Sequence, residues 1–322
     1  MRFFPLETPF PILAIGPLLG LLATGCGGER KPNAPEALDP LAEGMAYLAE
    51  GDAIAALPLL DKALLADPRS LEAHRARARA HGLVGNAKEA AQDLTRAIEI
   101  DPGDADARYQ LGSLLARQGR IQEAIGQLGA AIEKDPEMVK AYVDRSALFF
   151  KAGRVREAIA DCDAALELDP YNAATLVNRG VFRSRIGERE KALEDWTEAI
   201  RIQPRFPGGW FSRGVDRGSR GELREAIADF DEVLRIRPDH APARRNRASA
   251  YIGLEEHAKA LEDLDFLIRR SRGDPSLHRD RAACLRATGR TAEAEDEERT
   301  AAEIDERKGA GRNGERQNKT GR

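Results

Sequence analysis

Asp-Pro pairs stand at Asp67-Pro68, Asp101-Pro102, Asp135-Pro136 and Asp169-Pro170, and Pro204 and Pro238 continue the series at the same interval of 34 residues. A fixed period of that size constrains the fold more than any other feature of the chain. It means one supersecondary unit made many times over, each copy too small to bury its apolar face alone. The frame that fits starts at Ala37 and closes at Lys308, giving repeats at 37–70, 71–104, 105–138, 139–172, 173–206, 207–240, 241–274 and 275–308.

Comparison among the copies gives the unit its physical content. Position 20 of the frame is Ala in every repeat, from Ala56 to Ala294. Position 8 is always small, as in Gly44, Ala78, Gly112 and Ser146. Position 15 is Gly in seven repeats, and Glu255 is the exception. Position 24 is large or apolar (Leu60, Leu94, Leu128, Cys162, Trp196, Phe230, Leu264) until Glu298. Between the Gly and the Pro the residues follow a helical period, and a second helical stretch precedes the Gly. The Gly ends the first helix, where a left-handed residue costs little. The Pro cannot continue the second. Each repeat therefore reads as a helical hairpin, and the fold class as all-α. Hydrophobic residues make up 42% of the chain but aromatics only 5%, so the apolar content is largely Ala and Leu, which suits helices.

These columns resemble the tetratricopeptide repeat (TPR) family over 37–308. The resemblance implies a right-handed α-solenoid with a concave groove lined by the first helices, and protein or peptide binding as its use. Departures mark the ends. Pro58 stands inside the second helix of repeat 1, Arg272 replaces the Pro of repeat 7, and repeat 8 carries the acidic run Glu293 to Glu298, the polar face expected of a terminal cap.

Position 7 is Arg in six repeats, and in the same six position 23 is acidic. The pairs are Arg77 with Asp93, Arg145 with Asp161, Arg179 with Asp195, Arg213 with Asp229, Arg247 with Asp263, and Arg281 with Glu297. Where position 7 is Leu111, position 23 is Gln127. This covariation predicts an ion pair across each hairpin. The alternative is that these Arg residues face a ligand.

No HExxH, Walker loop, GxSxG or dinucleotide fingerprint occurs. His74, His81 and His278 fall at helix-packing positions of the frame. Cys162 and Cys284 lie too many repeats apart for a bridge. The reading is a non-enzyme with no cofactor and no metal site. A formal net charge of −4 argues against a nucleic-acid partner.

By the family's geometry, positions 2, 5, 6, 9, 12 and 13 face the groove. Over eight repeats they hold nine cations and four acids. The candidate ligand residues there are Arg75, Arg79, Tyr109, Arg117, Lys140, Phe150, Lys151, Asn178, Arg185, Phe211, Arg245 and Asn246. A basic groove of this kind suits an acidic or carboxylate-bearing protein segment. An anionic polymer, or a role as accessory subunit of an envelope enzyme, is the alternative.

The two ends carry different signals. Residues 1–25 read as an export signal whose close, Leu22-Ala23-Thr24-Gly25-Cys26, resembles a bacterial lipobox with Cys26 as the lipidated residue. An ordinary signal peptide, or a buried apolar N-terminus with an incidental Cys, is the alternative. Residues 26–36 read as a flexible tether and 309–322 as a disordered basic tail. Together these features predict an exported, membrane-anchored lipoprotein, facing the periplasm or cell exterior, that acts as a scaffold for an envelope protein complex.

Overall fold

The computed structural model describes residues 39–320, with side chains placed as far as Lys308. The signal segment, Cys26 and the tether lie outside the described residues. Within them there are sixteen α-helices and no strand. They pair in order: α1 (Pro40–Glu50) with α2 (Ala53–Ala66), α3 (Leu71–Leu83) with α4 (Ala87–Ile100), α5 (Ala105–Arg117) with α6 (Ile121–Lys134), and α7 (Val139–Lys151) with α8 (Val155–Leu168). The second half repeats the scheme: α9 (Ala173–Arg185) with α10 (Arg189–Ile202), α11 (Pro207–Ser219) with α12 (Leu223–Ile236), α13 (Ala241–Gly253) with α14 (His257–Arg270), and α15 (Pro275–Ala287) with α16 (Thr291–Thr320). Contacts divide the chain between Pro170 and Tyr171, so α1–α8 form one unit and α9–α16 another. Each unit is an α-solenoid of four tandem helix-turn-helix repeats.

The turns explain why the hairpins recur so regularly. Every first helix ends in the same motif, in which the residue after position 15 donates its N–H back across the last turn, as in Asp52 to Tyr47 at 2.9 Å and Arg120 to Leu115 at 3.0 Å. The motif needs a left-handed residue. Seven glycines supply it at φ between 76° and 86°, and in repeat 7 Glu255 adopts φ 61° in the same place. A side chain in that conformation costs roughly 1–2 kcal/mol. At the other end, Asp67, Asp101 and Asp135 take extended backbone, as a residue before Pro must. Each then accepts a hydrogen bond on Oδ1 from the N–H two residues on, at 2.8 to 3.1 Å. α2 runs continuously through Pro58.

Inside each hairpin the helices close on the small residue of position 8. A Cβ added at Gly180 would lie 2.5 Å from Trp196 Nε1, and one at Gly214 would lie 2.8 Å from Phe230. The two largest residues of position 24 thus sit against glycine. Trp196 is fully buried and its indole N–H donates to the Val177 carbonyl at 3.2 Å.

All six Arg residues of position 7 bond the acid of position 23 in their own hairpin. Arg77 and Arg145 do so with two hydrogen bonds of 2.7 and 2.8 Å. Arg179, Arg213, Arg247 and Arg281 reach Asp195, Asp229, Asp263 and Glu297 at 2.6, 2.7, 2.8 and 2.5 Å. Several use a remaining N–H on position 25 of the preceding hairpin: Arg77 on Asp61 at 2.7 Å, Arg247 on Asp231 at 2.5 Å and Arg281 on Asp265 at 2.6 Å. The guanidinium therefore ties a hairpin together and ties it to its predecessor. Position 4 adds a second tie. Trp210 donates to the Pro204 carbonyl at 2.9 Å, Arg108 to Pro102 at 3.1 Å, and Arg244 to Pro238 at 2.9 Å. His74 bridges the Pro68 carbonyl and Asp93, at 3.2 and 3.0 Å.

One element differs from expectation. α16 continues past Lys308 to Thr320, through the stretch expected to be a disordered tail. A helix already nucleated by the last hairpin extends at one backbone hydrogen bond per residue fixed.

Two variants test this packing. Gly180→Ala drives a methyl into the Trp196 ring and lowers unfolding stability by about 1–3 kcal/mol, read as a lower denaturant midpoint. Arg145→Met leaves Asp161, 7% exposed in its side chain, without its partner, and costs about 3 kcal/mol. The double variant Arg145→Met/Asp161→Leu recovers most of that loss; no recovery would mean the pair is not the unit of stability.

Candidate functional site

The first helices of the first unit carry a connected row of polar side chains. Arg75 on α3 lies 3.6 Å from Asp104 and 3.5 Å from Asp106. Lys140 on α7 bonds Asp106 at 2.9 Å from the other side. Its ammonium sits 4.4 Å over the Tyr109 ring, and the Tyr109 hydroxyl donates to Asp144 at 2.9 Å. The Lys140 hydrogen bond holds Asp106 below the usual carboxylate range. Burial lifts Asp144 above that range. Burial, with the Asp144 charge beside it, raises the Tyr109 phenol. Three helices are linked by this row, which uses up two cations of the candidate groove.

Other groove cations are likewise matched. In the second unit Arg245 bonds Asp274 and lies 3.2 Å from the Ser276 hydroxyl. Arg279 bonds Asp305, and Arg286 bonds Glu298 at 2.8 Å. The charge read from six frame positions is therefore larger than the charge left uncompensated. Asp106, itself at groove position 2, is one balancing acid; the others come from outside those positions: Asp104 and Asp274 at the last position of the repeat, and Asp305 and Glu298 on α16. Asp104 and Asp274 also cap the following first helix, each accepting a backbone N–H at 2.9 and 3.0 Å.

Four groove cations remain exposed with no ion pair among the described residues: Arg79, Arg117 and Lys151 in the first unit, and Arg185 in the second. Arg117, Lys151 and Arg185 each stand in the last turn of a first helix. There a cation offsets the negative end of the helix dipole while its head stays in water. Phe150 lies half-buried beside Lys151 in sequence, on the last turn of α7.

The amides of position 6 lie elsewhere. Asn178 and Asn246 are 2% and 0% exposed, and Ser212 between them is 0% exposed. They sit beneath the open face rather than on it. Asn178 Oδ1 and Ser212 Oγ make no hydrogen bond among the described residues. Phe211 is half-buried, its ring 6.1 Å from Phe230 and 5.1 Å from His240. His240 Nδ1 accepts the Ala243 N–H at 3.1 Å, capping α13. Burial, together with Arg237, lowers the His240 pKa, which keeps the ring neutral so that Nδ1 can accept.

Asp216 was not singled out in the sequence. It occupies position 10, which is Ala, Leu, Phe or Cys in the other repeats. It is 6% exposed, its Oδ2 accepts no hydrogen bond, and Arg220 stands 3.8 Å away. Comparing that column across the eight copies would have found it. No group of three or more His, Cys, Asp or Glu side chains among the described residues could hold a metal ion. Cys162 and Cys284 are fully buried thiols, and burial pushes Cys284 up to about 11.

The tetratricopeptide repeat family model matches residues 41–105, 109–173, 211–275 and 245–309. The sequence matches none of the curated proteins. Among solved structures, a tetratricopeptide repeat protein from Parabacteroides merdae is 19% identical over 73% of this chain and 93% of its own, with a TM-score of 0.58. The APC/C hetero-tetramer Cut9–Hcn1 is 18% identical over 82% of this chain and 52% of its own, with a TM-score of 0.55. YrrB, a TPR protein with an unusual peptide-binding site, is 19% identical over 57% of this chain and 95% of its own, with a TM-score of 0.49. At these identities the likeness is one of fold.

Asp216 yields a pH-dependent prediction. Burial raises its folded-state pKa above the unfolded value. Its contribution to stability is therefore full below the unfolded carboxylate pKa, near 3.9, and is lost as pH rises through the folded one. Asp216→Asn consequently raises the melting temperature at pH 7 and changes it less near pH 4. Equal gains at both pH values would mean that ionisation of Asp216 is not what costs stability.

Proposed function

The chain belongs to the tetratricopeptide repeat family, and from that premise we propose a protein-binding scaffold, held at a membrane by a lipid on Cys26, that grips a carboxylate-bearing protein segment along its first helices. The observation that carries the reading is the set of exposed cations without acidic partners, Arg79, Arg117 and Lys151 of the first unit. Neighbouring cations on the same helices are already committed to Asp104 and Asp106. What these three can still attract is an outside acid. Phe150, on the same last turn as Lys151, supplies an aromatic surface of the kind that anchors bound segments. Arg185 extends the same chemistry to the second unit.

The reading needs no catalytic group. Most charged side chains on the helices are paired with one another or exposed, and the Cys284 thiol lies in an apolar cluster. No helix among the described residues is long and apolar enough to cross a membrane. In this reading membrane attachment comes from Cys26, whose sequence context resembles a lipidation site. Acyl chains supply such attachment without a spanning helix. An exported lipoprotein of this design would bring its client to the envelope surface and hold it there for assembly.

The test is a photo-crosslinking residue at Phe150 in the full-length protein, with Gln122, exposed on α6, as control. Irradiation in living cells is expected to capture one protein at Phe150 and not at Gln122. Arg117→Glu/Lys151→Glu abolishes that capture. Equal adducts at both places, or capture indifferent to the charge reversal, would sink the reading. Loss of fatty-acid incorporation in Cys26→Ala checks the anchor separately.

A further inference from the structure

Repeat 1 differs from its neighbours on the outward side of its second helix. Frame positions 18, 22, 25 and 29 fall at i, i+4, i+7 and i+11, and so share one stripe of an α-helix. In repeats 2, 3 and 4 that stripe reads Lys88-Gln92-Thr95-Glu99, Gln122-Gly126-Gly129-Glu133 and Arg156-Ala160-Asp163-Glu167. In repeat 1 it reads Ile54, Pro58, Asp61 and Leu65. Ile54 is 76% exposed and Leu65 82% exposed, and Pro58 between them is exposed as well. The one charge in the stripe, Asp61, is drawn toward repeat 2 by Arg77 at 2.7 Å.

These residues are not needed for packing. The inward side of α2 already buries Ala53, Ala56, Leu60, Ala63 and Leu64. At the same two end positions every other repeat of the unit carries polar or charged side chains. An aliphatic stripe facing water at this one place has to be explained by something that covers it.

We propose that this stripe rests on the lipid bilayer, so that repeat 1 lies against the membrane. The inference builds on the anchor reading of Cys26. From Cys26 to Asp39, the first described residue, the chain has 13 residues, which span at most about 45 Å. Repeat 1 is therefore the part of the array confined nearest to an anchored lipid. That confinement raises the effective concentration of the stripe at the bilayer, so a contact too small to bind alone suffices. The surroundings define the lipid chemistry. Glu50, Asp52 and Asp67 flank α2, and the exposed cations Lys62 and Arg69 offset only part of that charge, so the surroundings carry no excess of positive charge and the contact is aliphatic insertion rather than attraction to an anionic surface. The distal repeats, polar along the same stripe, stay in water.

The experiment uses the full-length acylated protein in vesicles of phosphatidylethanolamine with a minor fraction of phosphatidylglycerol. A bimane label is placed at Leu65→Cys and, as control, at Glu99→Cys, the same frame position one repeat on. Cys162 and Cys284 are both 0% exposed and Cys26 is acylated, so the label goes where it is directed. Expected is a blue shift at position 65, quenching by nitroxide-bearing lipid and protection from aqueous iodide, with none of these at position 99. Adding Ile54→Lys, the residue type of Lys88, removes the protection at 65 while the protein stays on the vesicles. Protein that floats with vesicles but shows the same signal at 65 and 99 overturns the membrane contact and leaves the anchor standing. Protein that does not float with vesicles at all overturns the anchor and the contact with it. Protection at 65 in the absence of vesicles overturns the contact in favour of a protein covering the stripe.

Discussion

A hairpin of 13 and 14 residues has too little apolar surface to hold its own shape, so each unit depends on how closely two helices can approach. That distance is decided at position 8. In the hairpin of α9 and α10 the residue there is Gly180, and the space it leaves is filled by the whole indole of Trp196. In the hairpin of α11 and α12 the exchange is Gly214 for the Phe230 ring. Where position 8 is Ala78 or Ser146, position 24 is Leu94 or Cys162. The largest side chains of position 24 are met only by glycine, although Gly44 and Gly112 also face Leu60 and Leu128, so each contact is close-packed in its own way.

Once the pair has closed, charge sets its relation to the next one. The Arg of position 7 has more donors than its own hairpin uses, and its planar fork lets it serve two directions at once. One set of N–H groups holds the acid of position 23, which is buried. Another reaches the acid of position 25 in the preceding repeat, which is exposed. Buried acids such as Asp229 and Asp263 take a second cation as well, Arg217 at 2.9 Å and Arg244 at 2.8 Å. Such a pair adds orientation more than net stability, because burying the carboxylate costs nearly what the pairing returns. The Asp229 ties lie within repeat 6; those of Arg77, Arg247 and Arg281 to position 25 cross from one repeat to the next. Repeat 3 does without, with Leu111 and Gln127 in those places, so the hairpin closes by packing alone where it must.

The same economy of charge shapes the face available to a partner. The row from Arg75 through Asp106, Lys140 and Tyr109 to Asp144 turns what looks like a basic surface into one that is internally balanced. What remains free are Arg79, within α3, and three cations in the last turns of their helices, Arg117, Lys151 and Arg185, whose position favours the helix dipole. The amides of position 6 belong to the interior, where Asn178 and Asn246 are 2% and 0% exposed.

The 34-residue period, the glycine turns, the Asp-Pro stops and the coupling of position 7 to position 23 were all legible in the sequence. Each is a relation within one repeat, and eight copies of one relation make it visible. The reach of Arg77 to Asp61 was not, because it depends on how far one hairpin is displaced along the next, which no single copy records. The commitment of Arg75 to Asp104 and of Arg245 to Asp274 was hidden for the same reason: a capping residue from the following turn enters the face by way of the stacking. Asp216 and the Ile54–Leu65 stripe stood in the columns as exceptions, yet a column cannot say which side of a helix is covered. Local sequence thus determined the hairpin, since its geometry depends on backbone preferences and short-range contacts. Only the tertiary structure decided which charges are spent and which apolar residues face water, because both follow from what the neighbouring repeat brings within a few ångströms.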